Sequence, residues 1–158
     1  MTIGKQRSSK RVALAQAEDH SAEAFLQLMR VHQKLERQME RVLDEAGLTL
    51  PQFDVLANLG MAEGITQQEL AERLLVTKGN VCGLLDRMEA VDLVQRKPDQ
   101  KDRRVNRLHL TRQGRAALQA TFPTHLGMVR QYMSVLSGSE QRTLAQLLSR
   151  LDAGDYSR

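Results

Sequence analysis

The chain has 158 residues, enough for one domain with a substantial core, and its aromatic content of 3%, without Trp, favours helices over a β-sandwich. Its single cysteine excludes an internal disulfide, and no apolar run is long enough for a membrane span or a signal region, so we expect a cytoplasmic protein. The net charge of +4 is distributed as +4 on residues 1–11, −7 on residues 12–92, +6 on residues 93–115 and +1 on residues 116–158, which excludes a uniformly basic nucleic-acid coat.

A basic arm precedes the first predicted helix. Residues 1–18 show no hydrophobic periodicity, so we expect them to be disordered or extended, either as a solubilising tail or as a contact with DNA. A long helix is predicted from about His20 to Ala46, and Gly47 can end it. One face of this helix carries Phe25, Leu28, Met29, His32, Leu35, Met39, Val42 and Leu43.

Two capping boxes mark the starts of the next two helices. Thr49 with Gln52, and Thr66 with Glu69, have the spacing in which a hydroxyl accepts from an early backbone N–H and the later side chain reaches back. Pro51 suits the first turn of the earlier helix, where its missing N–H costs little. The apolar residues of that short helix are Phe53, Leu56, Ala57 and Leu59.

The stretch from Thr66 to Leu93 predicts two short helices joined by a tight turn. The turn is placed at residues 77–80, because Gly and Asn tolerate turn geometry and Thr can cap the second helix. The first helix has its apolar face at Leu70, Ala71, Leu74 and Leu75, and the second at Val81, Leu84, Leu85 and Met88. The opposite face of the second helix suits the DNA major groove, although two amphipathic core helices would give the same pattern. That face carries Thr77, Lys78, Asn80, Gly83 and Arg87.

A basic hairpin is predicted directly after these helices. Residues 93–97 and 105–110 have the character of two short strands, and Pro98 is expected to break their pairing. The loop PDQKDRR carries charges at nearly every position. A hairpin of this kind is typical of a wing that lies on the phosphate backbone or enters a minor groove, and a solvated charged loop is the alternative.

The segment TKGNVCGLLDRMEAVDLVQRKPDQKDRRVNRLHLT resembles the MarR-type winged-helix transcriptional regulators. It contains the family's D-x-R wing element at Asp102 and Arg104, followed by Leu110 and Thr111, which open the next helix. The resemblance extends over residues 20–153 and includes the order of the helices. It implies a mainly α fold, in which a winged helix-turn-helix module with a two-stranded wing is flanked by dimerisation helices.

The domain organisation follows from this resemblance. Residues 1–18 are expected to be a flexible basic arm, and residues 19–158 a single MarR-type domain. Within that domain the winged helix-turn-helix is placed at about 48–111, and the dimerisation helices at about 20–46 and 112–153.

Two helices are predicted after the wing. Thr111 caps the first, and Ser137 with Glu140 forms a capping box for the second. Their apolar residues exceed what a small module can cover, which predicts a partner chain in a two-fold homodimer. These residues are Leu118, Phe122, Leu126, Val129, Met133 and Leu136, then Leu144, Leu147, Leu148 and Leu151.

The predicted function is that of a transcriptional regulator, a repressor that binds a pseudo-palindromic operator in double-stranded DNA. Arg104, oriented by paired hydrogen bonds to Asp102, is expected to enter the minor groove. The other predicted DNA contacts lie on the wing and on the second helix of the stretch from Thr66 to Leu93, which we call the recognition helix. The full predicted set is Thr77, Lys78, Asn80, Arg87, Lys97, Lys101, Asp102, Arg103, Arg104 and Arg107.

The resemblance also implies a small-molecule effector, an aromatic or phenolic acid, bound where the first and post-wing helices meet the winged module. The residues predicted to bind it are Leu28, His32, Phe53, Leu56 and Leu118. His32 could instead be a satisfied core or interface histidine. Peroxide-sensing members of the family carry their cysteine near the start of the first helix, so we expect Cys82 to be a small packing residue.

No enzymatic function or cofactor is predicted. The sequence contains no Gly-rich phosphate loop, no H-E-x-x-H, no paired cysteines and no G-x-S-x-G, and its four histidines lack metal-ligand spacing. His20 and Glu23 could form half a metal site, but a solvated helix start is the favoured interpretation. Two alternative functions share the fold: a protein-interaction module and a non-specific architectural DNA-binding protein.

Overall fold

The computed structural model describes residues 20–154, which form six helices and one two-stranded antiparallel sheet. This confirms the predicted mainly α fold with a winged helix-turn-helix. Residues 1–18, the predicted basic arm, lie outside the described residues. Within the described range, no helix is both long and apolar enough to cross a membrane. The elements are α1 (Ser21–Asp44), α2 (Leu50–Met61), α3 (Gln67–Leu74), α4 (Lys78–Ala90), β1 (Val94–Pro98), β2 (Asn106–Leu110), α5 (Arg112–Met133) and α6 (Gly138–Asp152).

The chain divides into two compact units, one up to Gln38 and the other from Met39 onward. The described part of the first unit belongs to α1, and its apolar side chains are largely exposed, with Phe25 at 61% and Leu28 at 41%. The second unit contains the hydrophobic core. Its largest fully buried side chains come from the end of α1, from α2, α3 and α4, and from both strands, and include Leu43, Leu56, Leu59, Leu70, Leu85, Met88, Val94 and Leu108.

The helix starts and the end of α1 follow the predicted local signals. Thr49, Thr66 and Ser137 each form a complete capping box with the residue three positions later. Thr111 accepts a hydrogen bond from the backbone of its own helix, as predicted. Gly47 adopts a left-handed φ of 68° just after α1, the conformation in which glycine ends a helix without steric cost.

The turn between the two helices of the module lies earlier than predicted. The helix α3 ends at Leu74, and Leu75 caps it in the left-handed conformation with φ 55° and a side chain that is 87% exposed. The prediction that Leu75 lies on the apolar face was therefore wrong. Residues 78–80, predicted as turn, form the first turn of α4, while Thr77 accepts from the backbone N–H of Asn80 and caps the helix as expected.

The hairpin pairs β1 and β2 in antiparallel register from Val94 opposite Leu110 to Pro98 opposite Asn106. The prediction that Pro98 breaks the pairing was wrong, because Pro98 is the last residue of β1. Among the described residues no other strand pairs with the outer edge of β1, where a missing N–H leaves no ladder bond unmade. On the other side of β2, the backbone of Leu108 donates to Ile65 at 2.8 Å, so the segment before α3 lies along the hairpin.

A close contact places α5 against the residues that follow α4. A Cβ added to Gly114 would lie 1.9 Å from the carbonyl oxygen of Leu93, so only glycine allows this approach. The hydroxyl of Thr111 accepts from the Gly114 N–H at 2.9 Å and donates to the carbonyl of Asp92. The end of the wing, the start of α5 and the residues after α4 are therefore fixed together.

Candidate nucleic-acid interface

The recognition helix α4 has one buried face and one open face. Val81, Leu85 and Met88 are buried in the core, with relative exposures of 1%, 0% and 0%. The predicted DNA-contacting face is accordingly turned outward. Its members Thr77, Lys78, Asn80 and Arg87 are all exposed.

Cys82 lies on the exposed surface of α4, not in the packing position that the sequence predicted. Its position follows directly after buried Val81 and three residues before buried Leu85, which turns its side chain away from the core. Its sulfur lies 4.0 Å from Oδ2 of Asp86, one helical turn later. The thiol therefore belongs to the open surface of the recognition helix.

The wing tip presents an arginine that a carboxylate holds in a fixed orientation. Arg104 donates from Nε to Oδ1 of Asp102 and from Nη2 to Oδ2, both at 3.0 Å, while its backbone N–H also donates to Oδ1 at 3.0 Å. These bonds hold the pKa of Asp102 below its usual range and raise the pKa of Arg104. The Arg104 side chain is still 90% exposed. The paired hydrogen bonds that the D-x-R motif predicted are thus present, and they leave the guanidinium accessible.

The predicted DNA contacts of the wing fall into two groups. Lys97, Lys101 and Arg103 are exposed, and no ion pair involves them among the described residues. Arg107 differs, because its Nε donates to Oδ2 of Asp99 at 2.6 Å and its Nη1 donates to the carbonyl of Gly64 at 3.1 Å. Of these four predicted contacts, three are therefore open, and Arg107 is engaged within the protein.

An anchor between the wing and the recognition helix was missed by the sequence analysis. Arg96 on β1 donates to Asp86 from Nη2 at 2.7 Å, and it also pairs with Glu89, which accepts from its backbone N–H at 3.0 Å. The side chain of Arg96 is only 17% exposed. Asp86 and Glu89 are three residues apart, on one face of α4, and β1 follows α4 after a short connection. The spacing of these two carboxylates was the signal in the sequence that could have predicted the anchor.

A second polar cluster lies on the helices α2 and α5. The ring of His125 lies 4.8 Å from that of Phe53, and its Nδ1 has no hydrogen-bond partner within the described part of the chain. Burial lowers the pKa of His125, and nearby Asp54 opposes this effect. Burial also raises the pKa of Asp54, opposed by His125. Each group thus favours the charged form of the other, while burial disfavours the charged form of both.

The residues predicted to bind an effector are divided between the two units. In the second unit, Phe53 and Leu56 are buried in the core, and Leu118 packs against it. In the first unit, Leu28 is exposed and His32 lies 3.5 Å from Glu36 of the same helix. Their role in effector binding stays a prediction. Between residues 20 and 154 no group of three or more His, Cys, Asp or Glu residues could hold a metal ion.

Comparisons with known proteins agree with this geometry. A family model described as the MarR family matches residues 46–105. An HTH-type transcriptional regulator of Bacillus cereus is 33% identical over 128 residues, which cover 80% of this chain and 85% of that protein. The HTH-type transcriptional repressor YetL of Bacillus subtilis is 31% identical over 133 residues, which cover 83% of this chain and 80% of YetL. The crystal structure of a mutant MarR from E. coli complexed with operator DNA matches with a TM-score of 0.75 at 27% identity, covering 85% of this chain and 98% of that one.

Proposed function

This chain belongs to the MarR family of transcriptional regulators, and from this premise we propose that it represses transcription by binding a pseudo-palindromic DNA operator as a homodimer. The relatives are named as transcriptional regulators, which supports a non-enzymatic protein. The MarR of E. coli that matches this chain was crystallised with operator DNA. That complex supports the same mode of action here.

One observation carries the proposal: an arginine at the wing tip is oriented by a carboxylate and remains almost wholly exposed. An arginine loses side-chain entropy when DNA orders it. Because Asp102 already orders Arg104 in the free protein, less entropy is lost on binding. A guanidinium held in this way suits a narrow minor groove, where the negative potential is strongest. The recognition helix α4 offers Asn80 and Arg87, whose amide and guanidinium groups match the edges of adenine and guanine in a major groove.

Selection of duplexes from a random-sequence pool by the wild-type protein tests this function. We expect an enriched sequence with two half-sites about 10 base pairs apart, because a two-fold dimer repeats its contacts after one helical turn. At fixed salt, the selected duplex should bind at least about a thousandfold more tightly than a scrambled duplex of the same composition. Equal binding of the two duplexes would instead favour the non-specific architectural protein. Binding to neither would favour the protein-interaction module.

The dimer is supported by apolar surface that one chain leaves uncovered. No residue of α6 is buried, and Leu147 is 49% exposed and Leu148 39% exposed. In the first unit, α1 likewise exposes Phe25 and Leu26. Such contiguous apolar faces are rare on monomeric proteins, and a two-fold dimer is the commonest way to cover them.

Sedimentation with a matched pair of variants tests the dimer. Wild type is expected to sediment as a dimer at micromolar concentration. Leu147→Glu should shift it toward monomer, because a carboxylate would be buried in the apolar interface. Gln146→Glu adds the same charge to a neighbouring exposed position of α6 and should leave the dimer intact. A monomeric wild type, or equal behaviour of the two variants, would contradict the proposed interface.

Repression is supported by the relative YetL, which is named a repressor. Transcription in vitro from a promoter that contains the selected duplex should fall when the protein is added. Release by a small molecule stays a prediction from the family resemblance. It is tested by titrating phenolic carboxylates, and separately peroxide, into the protein–DNA mixture. Release by peroxide that disappears in Cys82→Ser, without response to any ligand, would replace the effector model.

A further inference from the structure

We propose that Arg107 and Asp99 do not contact DNA but are positioning residues, whose ion pair fixes the wing on the start of α3 and thereby presents Arg104. This inference rests on the proposed function, because its consequence is measured as DNA binding. It also revises the sequence-based prediction for Arg107. Arg107 was expected to support Arg104 through its own contact with DNA.

The guanidinium of Arg107 is committed to the protein on several sides. Nε donates to Asp99 at 2.6 Å, and Nη1 donates to the carbonyl of Gly64 at 3.1 Å and lies 3.8 Å from Oε2 of Glu69. Only 38% of the side chain is exposed, against 90% for Arg104. A DNA phosphate would have to compete for Arg107 with these groups of the protein, which already bind the guanidinium.

Two of these partners, Gly64 and Glu69, lie at the start of the helix-turn-helix. Glu69 also accepts the backbone N–H of Thr66 at 2.6 Å, which completes the capping box of α3. Thr66 and Arg107 form an isolated antiparallel bridge, so the backbones of the two segments are paired at the same level. Arg107 therefore joins the wing to the first helix of the DNA-binding module through its backbone and its side chain.

Asp99 extends the connection from Arg107 to the wing tip. While Oδ2 takes the guanidinium, Oδ1 accepts the backbone N–H groups of Lys101 at 2.7 Å and of Asp102 at 3.1 Å. These bonds lower the pKa of Asp99 to about 2, and the bond from Arg107 has the largest effect. The carboxylate is therefore ionised throughout the physiological range. Asp102 in turn holds Arg104. A series of hydrogen bonds thus runs from the Gly64 carbonyl, just before α3, through Arg107, Asp99 and Asp102 to the arginine at the tip.

The substitution Asp99→Asn distinguishes positioning from simple electrostatics by the sign of its effect. It removes one negative charge beside the DNA, so a purely electrostatic role predicts tighter binding and a steeper salt dependence. The amide oxygen can still accept from the Lys101 and Asp102 N–H groups, but the charged acceptor of Arg107 is lost. We expect Asp99→Asn to bind the duplex selected by wild type about three- to tenfold more weakly.

The substitution Arg107→Lys keeps the charge and loses the fork of donors that reaches Asp99 and Gly64 together. We expect a loss similar to that of Asp99→Asn, and no further loss in the double variant, because both break one connection. The loss of DNA affinity caused by either substitution should be smaller in an Arg104→Ala background, because Arg104 is then no longer there to be positioned. The matched control is Arg142→Lys, at an exposed arginine of α6 outside the predicted DNA contacts, which should bind like wild type.

Amide hydrogen exchange of the free protein supplies a readout without DNA. Thermal melts first establish that each variant is folded. The N–H groups of Lys101, Asp102 and Arg104 should exchange faster in Asp99→Asn and in Arg107→Lys, with the core unchanged. Unchanged exchange in the wing, or tighter DNA binding by Asp99→Asn, would overturn the inference. If the wing amides do respond but wild type selects no sequence, the inference about wing geometry holds and the proposed function fails.

Discussion

Replacing Gly114 by alanine should destabilise the protein, although alanine is the better helix former. The added Cβ would lie 1.9 Å from the Leu93 carbonyl oxygen and 2.8 Å from its carbonyl carbon. Both are backbone atoms, so no side-chain rotation can relieve the overlap. The start of α5 must move away from the strand that enters the wing.

The magnitude follows from the contacts that this movement disturbs. Overpacking against backbone costs about 1–3 kcal/mol. Weakening the Thr111 cap, whose hydroxyl holds both Gly114 and Asp92, adds about 0.5–2 kcal/mol. The higher helix propensity of alanine offsets about 1 kcal/mol of this destabilisation. We therefore expect the free energy of unfolding to fall by about 0.5–4 kcal/mol.

Urea denaturation followed by circular dichroism, at fixed protein concentration, measures this change. The matched control is Gly127→Ala in the same helix, where an added Cβ has nothing within 4 Å. There the helix preference acts alone and should raise the free energy of unfolding by about 0.5–1 kcal/mol. A Gly114→Ala protein as stable as wild type, or two variants that change in the same direction, would refute the reasoning.

Two further predictions concern strain and pH. Leu75→Asn should raise the free energy of unfolding by about 0.5–1 kcal/mol, because asparagine tolerates the left-handed conformation that leucine adopts at an exposed position. Leu75→Ala keeps the strain and should not stabilise, so equal melting temperatures for both variants would contradict this. Burial lowers the pKa of His125, so the unfolded chain binds its proton more readily, and wild type should lose stability as pH falls below about 6.5. His125→Leu should remove part of that loss in denaturation at pH 7.5 and 5.5, and parallel pH dependence of the two proteins would contradict the assignment.

The features that the sequence predicted well are local. Capping boxes at Thr49, Thr66 and Ser137 depend on residues three positions apart, so their signal is complete within one helical turn. The D-x-R pair of Asp102 and Arg104 is equally local, and its bidentate geometry appears as predicted. Such features do not depend on how distant segments pack.

The errors have identifiable physical causes. Leu75 continues the apolar spacing of Leu70 and Leu74, and only its backbone conformation reveals that α3 has already ended. Pro98 was judged by its missing N–H, but on a free strand edge that group has no partner to lose. The internal contacts of Arg107 were not predicted, because the sequence shows only that its charge lies in the basic segment. Its partner Gly64 is 43 residues away in the chain, and no spacing rule indicates such a contact.

Equilibrium binding of Arg104→Ala to the duplex selected by wild type is the most direct measurement of how this protein engages DNA. It is made at fixed salt beside Arg103→Ala, which removes an equal charge from the adjacent exposed position. We expect Arg104→Ala to lose about 1–3 kcal/mol of binding free energy, and Arg103→Ala to lose less while lowering the salt dependence by about one unit. An Arg104→Ala protein that binds the duplex as tightly as wild type would contradict insertion of the wing arginine into the minor groove.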